Sequence, residues 1–251
     1  VRPHAVAGLP VEGSFLFTVS LPSMSKKELK EAIRRQLERI VPGSSHNVRM
    51  AVQEWPPQLV LPPSSGAPAN GETYVVAAAE ADLVRAAERL MKMAGAKPVG
   101  VEIPASPACR TSWRILTEML DEINEPGVPT ARFNIALVVG PGEAQLHLAF
   151  HSCPCLMREI PLDPDNPFVN AQIIAGEVSR SARFVTNSLD GEFSGGITLM
   201  GASEKIDFIA DYLGEEVGIR TQVFGPSFSK CGSEYGVAAG SAFPKEGGEL
   251  L

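Results

Sequence analysis

Long hydrophobic runs are missing from this sequence. No window approaches the ~18 consecutive apolar residues that a membrane-spanning helix needs. A secretory leader is not evident either: Val1-Arg2-Pro3-His4 precedes only a short apolar stretch, broken by Gly8 and Pro10. Cysteine is scarce, with 4 in 251 residues. That is too few for a disulfide framework in a chain of this length, so a reducing compartment is expected. Basic charge is in deficit: 22 Lys and Arg stand against 29 Asp and Glu, a net charge of -7. Such a balance argues against a general nucleic-acid binder, because phosphate contacts need a basic face. Two catalytic signatures are also missing, since neither a Gly-x-Ser-x-Gly elbow nor a Walker A loop occurs. What remains is ordinary globular composition, 44% hydrophobic and 20% charged, with enough apolar content for one large domain or two small ones.

The periodicities alternate between strand and helix. Ser14 to Ser20 is β-branched and aromatic, which predicts a strand closed by Pro22. Ser25 and Glu28 form a capping box, and behind it Leu29, Ile33, Leu37 and Ile40 repeat at helical spacing. Pro42-Gly43 stops that helix, and Asn47 to Trp55 reads as a returning strand. Pro56, Pro57, Pro62, Pro63 and Pro68 leave no regular element between 56 and 71. A strand at 73–79 follows. The next helix, 80–94, carries Leu83, Val84, Ala87, Leu90 and Met91 on one stripe, with Gly95 as its C-terminal cap. A strand at 98–103 precedes a helix around Trp113, Leu116, Leu120 and Ile123, and Pro126 to Pro129 marks a second break.

The second half opens with three strands in succession: Phe133–Val139, Ala144–His151 and Met157–Pro161, the first turn being Gly140-Pro141-Gly142. Asn166-Pro167 starts a long helix, Asn as N-cap and Pro at the first helical position. Its predicted buried stripe is Val169, Ile173, Ile174, Val178, Ala182, Val185 and Leu189. A strand at 196–200 comes next, then a helix at 203–217 with Ser203 as cap and Ile206, Ile209, Leu213 and Val217 facing inward. A strand at 219–224 and a small-residue helix at 232–243 complete the pattern. The order favours α/β layers with mixed sheets.

One group of residue types suits a metal. His147, His151, Cys153 and Cys155 would all share a face of one unbroken strand, with N and S donors fit for zinc. Pro154 and the turn expected near Ser152 break that geometry, so uncoordinated side chains are expected. Glu177 and Arg180, one turn apart, read as a helix-surface pair, and the charges at 26–39 as a solvated face.

The run strand, strand, strand, helix, strand, helix, strand, helix is similar to the second half of the actin/Hsp70-like ATPase fold, a ribonuclease H-like architecture. Phe133-Asn-Ile-Ala-Leu-Val-Val-Gly-Pro-Gly142 falls where that superfamily keeps its second phosphate loop, and Gly196 to Glu204 where it keeps its adenosine turn. Tyr235 to Ala242 resembles its terminal small-residue helix. Within the superfamily, residues 7–33 resemble the inserted small subdomain of the type IV pilus assembly PilM family. There a strand ends in Leu21-Pro22, a short spacer follows, and Glu28-Leu29 and Ala32-Ile33 belong to the next helix. Glu177-Val-Ser-Arg180-Ser-Ala-Arg-Phe184 resembles that family's long second-half helix. The resemblance covers nearly the whole chain. It implies residues 1–56 as the end of a first-lobe sheet plus the small inserted subdomain, 57–71 as a Pro-rich linker, 72–125 as the rest of the first lobe, and 131–251 as the second lobe.

The departures from the superfamily pattern all concern nucleotide. An N-terminal Asp-x-Gly phosphate hairpin has no counterpart here, and Val138 stands where the second loop carries an Asp, leaving no oxygen for magnesium. The adenosine turn keeps Gly201 but continues Ala-Ser-Glu. Gly140, Gly142, Gly201 and Ser203 are therefore expected to be a vestigial nucleotide site. Gly140 and Gly142 are expected to serve a hairpin turn needing positive φ, and Ser203 reads equally well as a plain N-cap. The resemblance implies a non-enzymatic cytoplasmic scaffold, with no cofactor or with Mg-ATP only in a longer form. It would sit peripherally at the inner membrane and hold the N-terminal cytoplasmic peptide of a bitopic PilN-type partner, alongside other pilus or secretion platform proteins. The alternatives are a working actin-like ATPase and the cytoplasmic domain of a type II secretion GspL-like protein.

Overall fold

The computed structural model describes residues 3–40, 47–54, 71–123, 133–188, 196–201 and 205–224. They fall into two compact units that divide between Pro104 and Ala105. The elements of the first are β1 (His4–Gly8), β2 (Ser14–Pro22), α1 (Lys26–Ile40), β3 (Val48–Glu54), β4 (Gly71–Glu80), α2 (Ala81–Met93) and β5 (Lys97–Glu102). Those of the second are α3 (Ala105–Ile123), β6 (Phe133–Val139), β7 (Glu143–Phe150), β8 (Cys153–Pro161), α4 (Pro167–Ser188), β9 (Ile197–Met200), α5 (Ile206–Val217) and β10 (Thr221–Val223).

In the first unit, β1 and β5 pair in parallel, with a register shift beside Pro98, which has no amide hydrogen to give the ladder. The remaining strands form an antiparallel sheet in the order β2-β4-β3. β4 takes the centre because Tyr74, Val75, Val76, Ala78 and Ala79 are buried, which suits a strand covered on both faces. The sequence reading had placed this strand beyond the linker, in the body of the first lobe. Its pairing with β2 from Ser14↔Ala79 to Pro22↔Gly71, and with β3 from Val48↔Glu80 to Glu54↔Tyr74, makes it the spine of the small sheet. Local composition carries no record of which strand a segment will join. Of the segment read as a linker, 57–70 lies outside the described residues.

Helix α1 covers one face of that sheet. Ile33 and Tyr74 are buried with Leu21 and Val76, and Phe17, Val19, Leu29, Met50 and Val52 pack around them. Its start is the expected capping box: the Glu28 amide donates to Ser25 Oγ (3.4 Å) and the Ser25 amide donates to Glu28 Oε2 (3.0 Å). Ile40, read as part of the inward stripe, is 54% exposed. Helix α2 ends in a Schellman turn at Gly95 (φ 78), whose amide donates to Lys92 O while Ala96 donates to Met91 O. Leu90 departs from the predicted stripe: it is 65% exposed, and the buried side chains of α2 are Ala81 and Met91.

The second unit is built on a five-stranded sheet in the order β10-β9-β6-β7-β8. β7 alone runs opposite to the other four strands. The first three strands form a meander and the last two are added in parallel on its far side, which is the ribonuclease H-like order. Both parallel crossovers, β8-α4-β9 and β9-α5-β10, step the same way along the sheet, so right-handed connections put α4 and α5 on one face. Helix α3 packs on the other, where Ala108 and Ile115 meet Ala136, Met200 and Phe224. With both faces covered, β6 is buried along its length: Phe133, Asn134, Ile135, Ala136, Leu137 and Val139.

Several local readings shift here. Helix α3 begins at Ala105, earlier than the apolar repeat suggested, because Pro107 falls in its first turn, where no amide is needed. Strand β8 begins at Cys153, not Met157. A two-residue turn at His151-Ser152, with His151 at φ 52, allows the early start, and a bulge that leaves Cys155 without an opposite residue accommodates Pro154. The Asn166 cap is present, its Oδ1 accepting from the Val169 amide (3.2 Å). On α4, Ile174, Val178 and Val185 are buried, but Val169 and Ile173 are 37% and 42% exposed. Helix α5 begins at Ile206 with Lys205 in the cap position. Ser203, Leu189 and the helix expected at 232–243 lie outside the described residues.

Candidate functional site

The vestigial nucleotide site was expected in the hairpin turn at 140–142 and in the turn after the strand at 196–200; both follow parallel strands at their carboxyl ends, where open α/β sheets place ligands. The structure brings two of its four residues together there. Gly140 follows β6, and Gly201 follows β9, the parallel neighbour of β6. Gly201 has φ 129, and a Cβ on it would lie 2.2 Å from Val139 O and 2.8 Å from Val139 N. The glycine is thus required by the close packing of the two strand ends. Gly142 sits further round the turn with nothing within 4 Å of a Cβ.

The turn does not use the positive φ expected of its glycines. Neither Gly140 nor Gly142 adopts positive φ. The turn is held instead by the Gly140 amide donating to Glu143 O (2.8 Å) and by the Leu162 amide donating to Gly142 O (2.9 Å). The Glu143 carboxylate beside it accepts from Gln145 Nε2 (3.2 Å). A carboxylate there opposes a phosphate electrostatically. Val138 packs against the cluster of Ala108, Ile115, Ala136, Met200 and Phe224, so the position aligned with a metal-binding Asp is part of the apolar layer under α3.

The His/Cys group is dispersed by the β7–β8 turn. His147 is fully enclosed in β7, with no partner for either ring nitrogen among the described residues, and burial pushes its pKa down to about 3. His151 is in the turn itself, stacked between Trp113 (4.4 Å) and Phe150 (4.3 Å). Cys155 donates to Cys153 O (3.3 Å). Burial pushes the Cys153 thiol up to about 11, and raises Cys155 further above its usual range. The residue that sequence reading missed is Cys109 of α3, wholly buried, whose thiol is pushed up by burial and by nearby Cys153. Only the fold brings it there, 44 positions before Cys153. Among the described residues, no three His, Cys, Asp or Glu side chains are placed to share a metal ion.

Polar groups continue along this α3-facing layer. Ser112 Oγ donates to Thr198 Oγ1 (3.2 Å), Gln222 Nε2 donates to the same oxygen (3.4 Å), and Asn134 Nδ2 donates to His151 O (2.8 Å). Glu177 is more than a surface pair with Arg180 (2.6 Å), since Arg158 of β8 reaches it as well (3.1 Å). An open groove of about 420 Å³ lies away from the glycines, between α5 and β10, where Asp207, Asp211 and Glu215 face Thr221, Gln222 and Val223. No helix among the described residues is long and apolar enough to cross a membrane.

No protein-family model matches the chain, and no curated protein sequence matches it. Among solved structures, it resembles a chain of a PilM–PilN type IV pilus biogenesis complex with a TM-score of 0.65 and 20% identity, over 96% of this chain and 79% of that one. Weaker likenesses are to a Bacteroides thetaiotaomicron protein described as having an actin-like ATPase fold and unknown function (TM-score 0.47, 7% identity, 97% of this chain and 74% of that one), and to the cytoplasmic domain of EpsL, an inner-membrane component of the Vibrio cholerae type II secretion system (0.44, 14%, 85% and 74%). Those two carry no functional inference. The five-stranded sheet, its order and the length of the principal match agree: the chain has the actin-like, ribonuclease H-related fold shared with the matching chain of the PilM–PilN complex.

Proposed function

We propose that this chain is an actin-fold scaffold of a type IV pilus assembly platform and not an active ATPase. It holds the short cytoplasmic N-terminal peptide of a bitopic inner-membrane protein of the PilN type, and is thereby kept at the membrane without spanning it. The peptide lies along the first unit, where the β2-β4-β3 sheet adjoins the β1–β5 pair. The observation that carries this reading is the extent of the likeness to a PilM–PilN complex, 96% of the chain, which takes in the small sheet as well as the larger one. The chemistry at the strand ends supports the second half of the proposal. Gly201 is packed onto Val139, Val138 is apolar and Glu143 faces the turn. Phosphoryl transfer needs a held magnesium ion and groups that neutralise polyphosphate, and one missing electrostatic group commonly costs ~3–4 kcal/mol of transition-state stabilisation.

Isothermal titration against the synthetic N-terminal peptide of a PilN-type protein, and separately against Mg-ATP, tests both halves. Micromolar binding of the peptide is expected, with no binding of Mg-ATP. Saturable, magnesium-dependent ATP binding without peptide binding would favour the ATPase reading instead.

A further inference from the structure

The outer face of the second unit carries a seam of exposed aromatic side chains where α4 meets α5. Phe168 of α4 packs edge-on against Tyr212 of α5 (5.7 Å), and Phe208, one turn before Tyr212, continues the row (6.5 Å). Phe168 and Phe208 are nonetheless 52% and 43% exposed, and Val169 beside them is 37% exposed. Ile206, Ile209, Ala210 and Leu213 already seat α5 on the sheet, so burying the seam is not needed to hold the helix. One turn-wise step around α5, Asp207, Asp211 and Glu215 form a ridge at i, i+4 and i+8 that borders the seam on one side and the 420 Å³ groove beside β10 on the other. No salt bridge among the described residues engages any of the three. Like charges in this register repel, so the ridge is a site that favours an incoming cation.

We infer that this face docks a basic amphipathic segment of a partner protein. Its apolar side chains cover Phe168, Phe208 and Tyr212, and its Lys or Arg side chains reach the acidic ridge and the groove behind it. The chemistry disfavours the other occupants. From the fractional exposures and side chains of 150–250 Å², the seam presents about 250 Å² of apolar surface. That suits the anchors of one short helix, but is well below the ~800 Å² per partner of a stable dimer. In a two-fold dimer built on this patch, each ridge would also meet its own copy, acid against acid. An anionic lipid surface is repelled by the same ridge. This surface belongs to the second unit and does not depend on where a PilN-type peptide binds.

Fluorescence anisotropy with two designed helical peptides of about 14 residues tests the inference. Both carry leucines on one face, and the other face is lysine in one and glutamate in the other. The lysine peptide is expected to bind and the glutamate peptide to bind at least about tenfold more weakly, a difference that shrinks as salt rises. The variant Asp207→Asn/Asp211→Asn/Glu215→Gln should lose the preference, and Phe168→Ser/Phe208→Ser should lose both peptides, with circular dichroism confirming that each variant is folded. Equal binding of the two peptides, or a preference untouched by the charge variant, overturns the proposal. So does a concentration-dependent dimer abolished by Phe208→Ser, or binding to vesicles of anionic lipid that Phe168→Ser/Phe208→Ser abolishes.

Discussion

Replacing His147 by leucine exposes what a buried imidazole without partners does to stability. His147 lies in the middle of β7 opposite Ala136 and Met157, wholly enclosed, and neither ring nitrogen has a hydrogen-bond partner among the described residues. Burial lowers its pKa from 6.5 to about 3. The native ring therefore stays neutral while the unfolded chain takes up a proton. Above the unfolded value neither state is protonated and this residue contributes no pH dependence. Below it only the unfolded state binds the proton, so stability falls as pH falls, until the native ring itself titrates near pH 3. The limiting slope is about 1.4 kcal/mol per pH unit, and integration from pH 7 to pH 5 gives a loss of about 2 kcal/mol through this one group. Urea denaturation at those two pH values, for the wild type and for His147→Leu, measures it. The variant should lack about 2 kcal/mol of the wild type's pH-dependent loss, and the carboxylates cancel in the comparison. At pH 7 it should also be about 1 kcal/mol more stable, because an apolar side chain of similar size replaces two unpaired polar atoms. Parallel pH dependences in the two proteins would refute the reasoning, and would mean that the ring has partners or water in solution.

The strand ends and α1 give three further expected outcomes. Gly201→Ala forces a Cβ to within 2.2 Å of Val139 O at φ 129, so a loss of more than about 3 kcal/mol is expected in thermal or urea unfolding. Gly142→Ala, with open space at the Cβ, should stay within about 0.5 kcal/mol of the wild type. Equal effects at the two positions would contradict the packing role given to Gly201. Ser25→Ala removes one half of the α1 capping box and should cost about 1 kcal/mol, read as a fall in unfolding midpoint. An unchanged midpoint would mean that the box contributes nothing to the folded state.

Those elements whose signals are local were legible in the sequence. The capping box at Ser25, the Asn166 cap and the Gly95 terminator follow from a few neighbouring residues, and the structure has all three. The order of elements in the second unit was readable as well, and its resemblance to the second half of the actin/Hsp70-like fold implied a ribonuclease H-like sheet. Pairing across long separations was not. Nothing between Gly71 and Glu80 says that this strand joins β2 and β3, and nothing near Cys109 says that it folds close to Cys153. The exposed positions Leu90, Val169 and Ile173 were misread because helical spacing identifies an apolar stripe without revealing how much of it the neighbours cover. At the candidate site, the loss of chemistry at Val138 was visible in the sequence. The packing role of Gly201 was not, since it depends on how closely β9 ends against β6.

The central place of β4 governs how the small sheet can come into being. β2 and β3 touch only through it, and it is the last of the three to be synthesised. Until residue 80 has emerged, β2, α1 and β3 have no ladder to join, and a helix with two separated strands cannot hold itself in water. The subdomain therefore forms in one cooperative step when β4 inserts, closing contacts that span more than 50 positions, such as Ser20 with Thr73. A protein cut anywhere between β3 and β4 keeps most of the subdomain's residues and none of its structure. The same segment grafted elsewhere as a docking module must carry its third strand with it.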